Sequence, residues 1–206
     1  MQILVTAFEP FGGDLVNAAG QAVQSLPEQL VGGISLQRLL LPTVRYQALQ
    51  AIEAQLQSRQ PDFIVSVGQA GGRSAISLER VGINLDDFRI PDNAGNQPAD
   101  QPIFDDGPDA YFSTLPLRSM LAAVKAAGLP AEISHSAGTF VCNHVLYGVR
   151  HICARRYPAV RSGFIHVPCL PAQVLDRPGT PSMALTDITR GLTAALSALV
   201  PKVAQS

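Results

Sequence analysis

Hydrophobic and polar positions along this chain follow two rhythms in turn. MQILVTAF (1–8) is a nearly unbroken apolar run ending in the turn-rich EPFGGD, the pattern of a buried strand. NAAGQAVQSL (17–26) reads as a helix with Asn17 as its N-cap. ISLQRLLLP (34–42) reads as a strand. TVRYQALQAIEAQLQSRQ (43–60) gives the clearest helix, because Val44, Leu49, Ile52 and Leu56 recur near the 3.6 period and Thr43 stands in capping position. DFIVSVGQAGG (62–72) is a second buried strand running into glycines. ISLERVGINLDDF (76–88) has strand character, but its alternation changes phase at Glu79–Arg80. That change predicts a bulge, which re-aims side chains.

The segment 87–113 has no period and is rich in Pro, Asp and Gly, as expected of a functional loop or lid. LRSMLAAVKAAG (117–128) predicts a helix closed by Gly128. AEISHSAG (131–138) starts as a short strand, and a helix follows from about Phe140 to Tyr157. RSGFIHVPCLP (161–171) holds a buried strand stopped by Pro168. SMALTDITRGLTAALSALV (182–200) is the last helix, with Ser182 as its expected cap. Buried strands alternating with helices predict one α/β domain over 1–206, a three-layer α/β/α sandwich around a mostly parallel twisted sheet. Chemistry in such folds collects at the carboxyl ends of strands. FEPFGG, GQAGGR, SAGTFVC and HVPCLP are the segments this singles out.

Composition narrows the function. The chain has 206 residues, 47% hydrophobic and 15% charged, so it is globular with few surface charges and suits an oligomer. A formal net charge of −1 offers no basic footprint for nucleic acid. The N-terminus lacks a signal-peptide pattern and no run of about 18 apolar residues exists, so neither secretion nor a membrane span is expected. Cys142, Cys153 and Cys169 form an odd set without framework spacing. Free thiols in a reducing compartment, the cytoplasm, are the expectation.

Cys142 stands near the first turn of its helix, where unpaired N–H groups favour an anion, so a thiol pKa below about 8.5 is expected. Free cysteine is also a common core filler, and Cys153, on the apolar face of the same helix, reads that way. Position alone leaves Cys142 open between filler and nucleophile. A nucleophile needs a base. His144 is two residues on and points elsewhere on the helix, His151 is more than two turns away, and His135 lies upstream of the turn. His166, in GFIHVP, sits near a strand's carboxyl end. It is either a core histidine bonded to a carbonyl or the partner of Cys142. Glu79 is either a strand glutamate paired with an arginine or a partly buried carboxylate that orients an imidazole. No CxxC, HxxxH or HExxH occurs, so no metal is expected. The glycines of GQAGGR do not have nucleotide-loop spacing.

Together, FEPFGG with Asn17 downstream, GQAGGRSAISLERVGIN, RIPDNAGNQPAD, SAGTFVCNHVLY and GFIHVPCLP resemble the pyroglutamyl peptidase I (pyrrolidone carboxyl peptidase) family over nearly the whole chain. The resemblance implies that Cys142 is the nucleophile, His166 its base and Glu79 the group orienting the imidazole, with Arg89 helping to stabilise the oxyanion. It implies that Phe8, Phe11, Phe140 and Val141 line the pyroglutamyl pocket, with Gln69 near its polar edge and Asn17 supporting the site. Two departures stand out. Gly82 replaces the usual Ala, and Phe88 precedes Arg89 where a small residue is expected.

The implied activity is removal of an N-terminal 5-oxoprolyl residue from peptides through a thioacyl intermediate, with no cofactor. The implied assembly is a homo-oligomer, often a tetramer. Two rival readings share the scaffold: a thiol hydrolase with another acyl specificity, and a silent module that binds the ring.

Overall fold

The computed structural model describes residues 1–200. Nine strands and five helices lie there in the order β1 (Gln2–Phe8), α1 (Ala18–Gln24), β2 (Gln29–Leu30), β3 (Ile34–Leu41), α2 (Gln47–Ser58), β4 (Phe63–Gln69), β5 (Ile76–Glu79), β6 (Val81–Ile83), β7 (Ala110–Phe112), α3 (Leu117–Ala126), β8 (Ala131–Ser134), α4 (Val141–Arg156), β9 (Arg161–Val167) and α5 (Leu185–Ser197). Seven strands form one sheet, ordered β2-β3-β1-β4-β9-β5-β8. The central run β3-β1-β4-β9 is parallel, while β5 lies antiparallel to β9, β8 parallel to β5 and β2 antiparallel to β3.

The central strands are buried on both faces, which is why β1 and β4 are almost wholly apolar. α1, α3 and α5 cover one face with Val5, Val65, Ile165 and Leu192 in its core; α2 and α4 cover the other with Leu4, Ile64, Val145 and Phe164. The three-layer α/β/α sandwich is therefore the fold the alternation predicts. No helix among the described residues is long and apolar enough to cross a membrane.

Several boundaries differ from the sequence reading. The phase change at Glu79–Arg80 is not a bulge. The chain leaves the main sheet there and enters a separate two-stranded sheet, β6 with β7. The segment 87–113 thus contains one strand, and its tip is tied down: Asp92 accepts from Asn96, Ala94 and the Arg45 N–H, and Asn93 donates to Pro10. Thr43 does not cap α2. Its hydroxyl donates to the Glu9 carbonyl, and the helix starts four residues later, after Tyr46 at φ 58°. Ser182 does not cap α5 either. Its neighbour Met183 bonds Cys169, and the helix follows Ala184. Asn17 does cap α1, accepting from the Ala19 and Gly20 N–H groups.

Candidate active site

The register of the sheet gathers the site. Gly68 on β4 pairs with His166 on β9, and Ser77 on β5 pairs with His166 from the other side. Residues in register share a face, and so do residues two apart along a strand. Gly68, Phe164, His166 and Glu79 therefore all face the α2–α4 layer. Glu79 is in register with Phe164, so its carboxylate reaches His166 along the diagonal across the antiparallel pair. Oε1 lies 2.8 Å from His166 Nδ1. A carboxylate only accepts, so Nδ1 carries the proton and Nε2 keeps its lone pair.

Cys142 comes to the same place from above. It is the second residue of α4, which follows Phe140 with no side-chain cap, leaving first-turn N–H groups unspent. Its sulfur fills the space over Gly68: a Cβ built there would stand 2.8 Å from Sγ and 2.8 Å from the Phe164 ring. This close approach explains a glycine inside a buried strand. The sulfur thus lies over β4 and the imidazole on β9, on one face of two neighbouring strands whose backbones run about 4.8 Å apart.

Electrostatics departs from the sequence reading. Burial and the nearby Glu79 carboxylate push the Cys142 thiol up to about 12, with Arg73 pulling the other way. The expected depression does not occur, because the thiol is desolvated as well as placed at a helix start. Burial also lowers His166 below its ordinary 6.5, against the pull of Glu79. At neutral pH the pair is a neutral thiol beside a neutral imidazole. Cys153 is fully buried among apolar side chains, the filler it was expected to be.

The remaining candidates spread around this centre. The Phe11 and Phe140 rings stand 5.7 Å apart, and Phe88 meets Phe140 edge-on at 4.7 Å. Phe88 is buried, so the departure from the family pattern adds an aromatic behind this wall. Phe8 and Val141 are deeper, in the core that backs the site. Gln69 spends its amide oxygen on the Ala18 N–H (2.7 Å) and on Gln173 Nε2 (3.0 Å), fixing the start of α1. Asn17 also donates to the Glu9 carbonyl at 3.3 Å. Arg89 is exposed on the loop after β6, and among the described residues its guanidinium has no hydrogen-bond partner. Gly82 lets β6 run against α4: a Cβ there would lie 2.9 Å from the Tyr147 backbone nitrogen. Asn143, beside the cysteine, bonds the backbone of Ile83 and Leu85 on that strand and just beyond it. Among the described residues, no group of three His, Cys, Asp or Glu side chains is placed to hold a metal ion.

The comparison with known proteins decides the family. The model of the pyroglutamyl peptidase family matches residues 1–202. The chain belongs to the pyroglutamyl peptidase family. It is 49% identical over 202 residues to the pyrrolidone-carboxylate peptidase of Lactobacillus johnsonii, covering 98% of this chain and 94% of that one. The Staphylococcus haemolyticus counterpart is 51% identical over 199 residues, covering 97% and 93%. The crystal structure of pyroglutamyl peptidase I from Bacillus amyloliquefaciens superposes with a TM-score of 0.92 at 44% identity, covering 96% of each chain. A mutant pyrrolidone carboxyl peptidase from Pyrococcus furiosus gives a TM-score of 0.92 at 39% identity, over 98% of this chain and all of that one.

Two groups of this family member escaped the sequence. Arg73 Nη1 bonds the same Glu79 Oε1 at 2.7 Å. His144 lies buried with Nδ1 on Asp86 at 2.9 Å, while its Nε2 accepts the Tyr46 N–H at 2.9 Å. An arginine partner for Glu79 was one of two readings of that residue, and the structure shows that the arginine and the imidazole share one oxygen. Nothing in the local pattern marks Asp86 as the partner of a histidine 58 residues later.

Proposed function

We propose that this chain is a cysteine peptidase that removes an N-terminal 5-oxoprolyl residue from peptides, with Cys142 as nucleophile, His166 as base and Glu79 as the orienting carboxylate. The observation carrying the residue assignment is the placement of Cys142 Sγ over Gly68, the register partner of His166, whose other nitrogen is held by Glu79. Family membership supplies the reaction.

In acylation the sulfur attacks the carbonyl that follows the ring, and His166 Nε2 takes the thiol proton as the S–C bond forms. A neutral pair makes proton transfer part of the attack instead of a step before it. The oxyanion meets the unspent N–H groups at the start of α4, with Arg89 as a further donor when its loop presents it. His166 passes the proton to the leaving nitrogen as the C–N bond breaks. Water then gives a proton to His166 and its oxygen to the acyl carbon. The thioester C–S bond breaks, the proton returns to sulfur, and 5-oxoproline leaves. Glu79 fixes the tautomer and balances the imidazolium.

The 5-oxoprolyl ring is flat and uncharged, and it suits a wall of Phe11 and Phe140. Its lactam N–H and C=O need polar partners that a proline ring would leave unpaired, so prolyl substrates are rejected. Oligomeric assembly and a reducing, cytoplasmic location belong to the same proposal; three free thiols and a low charge content agree with them. Hydrolysis of a fluorogenic pyroglutamyl amide, compared with prolyl and alanyl amides, tests the substrate. Turnover of the pyroglutamyl amide alone is expected; turnover of another amide in its place contradicts the assignment.

A further inference from the structure

Glu79 is fully buried, and only one of its two oxygens is used. Oε1 receives His166 Nδ1 at 2.8 Å and Arg73 Nη1 at 2.7 Å, while Oε2 has no hydrogen-bond partner. The orientation of the carboxylate therefore depends on the donors at one atom. Arg73 also reaches a third element, because its Nη2 donates to the Ser136 carbonyl at 2.9 Å. Ser136 opens the turn SAGTFVC that delivers Cys142. Arg73 itself follows Gly72, at φ 85°, in the tight turn where β4 ends. One planar fork thus joins the exit of β4, the buried carboxylate of β5 and the turn into α4. A rigid guanidinium can do this and a point charge cannot. An exposed ion pair would be worth little, but here one partner is fully desolvated.

We propose that Arg73 is a positioning residue for the hydrolysis, holding Glu79 against His166 and tying that carboxylate to the turn that carries Cys142. The inference rests on the Cys142–His166–Glu79 reading. Its chemical consequence is a balance of charge. Glu79 favours a proton on both His166 and Cys142, and Arg73 opposes it at each. A glutamate shared with a cation orients the imidazole without trapping it as imidazolium.

Few other charges bear on the pair. β4 carries none, β9 and α4 carry theirs far along, at Arg161 and from Arg150 onward, and Arg80, next to Glu79 in the chain, stands with Phe112, Ser113 and Leu115. His144 is tied to Asp86. On β8, Glu132 accepts from Ser77. On the loops, Asp87, Arg89 and His135 lie outside the buried core.

Arg73→Gln and Arg73→Lys in the full chain test this, with thermal melts as a check on folding. For Arg73→Gln, kcat near neutral pH on the pyroglutamyl amide should fall about tenfold or more, with KM changing less than about threefold. The acid limb of kcat/KM should move up by about one pH unit. Arg73→Lys should restore the position of the limb but not the full kcat, because the bond to Ser136 is lost. NMR titration of His166 in Cys142→Ala, with and without Arg73→Gln, gives a readout free of turnover, and the same upward movement is expected. An unmoved limb together with an unmoved His166 midpoint overturns the proposal. If Arg73→Gln does not fold, Arg73→Lys decides it: a reduced kcat at an unmoved limb supports the role, and a wild-type kcat overturns it. Failure of the wild-type protein to cleave the pyroglutamyl amide would sink the functional reading instead, and the His166 titration would still decide on Arg73.

Discussion

Cys142 Sγ occupies the space over Gly68 that a side chain there would claim. The proposed nucleophile, the missing Cβ and the register partner His166 are one arrangement. Gly68→Ala must displace both the sulfur and the Phe164 ring, each 2.8 Å from the new carbon. A displacement near 1 Å costs about 100-fold in rate, and overpacking costs about 1–3 kcal/mol. We expect kcat/KM to fall by about that factor while urea denaturation shows a folded, weakened protein. Unchanged kinetics would place the reacting sulfur elsewhere.

Glu79→Gln should be milder than loss of the cysteine or the histidine. Arg73 only donates, so it selects the oxygen of the substituted amide, and that oxygen then takes the place of Oε1 facing His166 Nδ1. The tautomer survives and the balancing charge does not. A drop of about 10- to 100-fold in kcat is expected for Glu79→Gln, within the span of acid–base contributions, and a larger one for Glu79→Ala, read by steady-state kinetics.

The pH dependence has a definite sign. In the proposed mechanism His166 must be neutral to accept the thiol proton, and burial sets its pKa below the ordinary 6.5. The acid limb of kcat/KM should therefore lie below 6.5. Stability follows the same direction. His166 and His151 both titrate low because they are buried, so the unfolded chain takes up protons first. Their contribution is complete above about 6.5 and is lost as pH falls through the folded-state values. Denaturation midpoints measured from about pH 8 to about pH 5 check this.

The candidate site was partly legible because its residues sit at strand and helix ends. The apolar runs of 1–8 and 62–72 marked two central strands; the cysteine at a helix start and the histidine at a strand end stood out as candidates, and the family resemblance implied their roles. The phase break at Glu79 was visible, but its cause, a change of sheet, depends on the distant partner strand β7. The thiol's direction was missed for a related reason. Helix position is local, whereas desolvation by Phe164 and the adjacent strands is not. Arg73 and the His144–Asp86 pair became visible only when separate elements met.

Asp86→Ala probes that second cluster. Asp86 is fully buried, bonds His144 Nδ1 at 2.9 Å and pairs with Arg45 at 3.2 Å. Its loss leaves buried donors unpaired, and about 3–5 kcal/mol of destabilisation is expected from chemical denaturation. The same bond network holds the Tyr46 backbone at positive φ, so the junction before α2 should loosen first, seen as faster amide exchange at Tyr46.

Turnover of a pyroglutamyl amide by the wild-type protein and by Cys142→Ala, measured side by side, tests the central claim most directly. The account predicts steady hydrolysis by the first and background rates from the second, with near-equal melting temperatures. Wild-type rates from Cys142→Ala would contradict it.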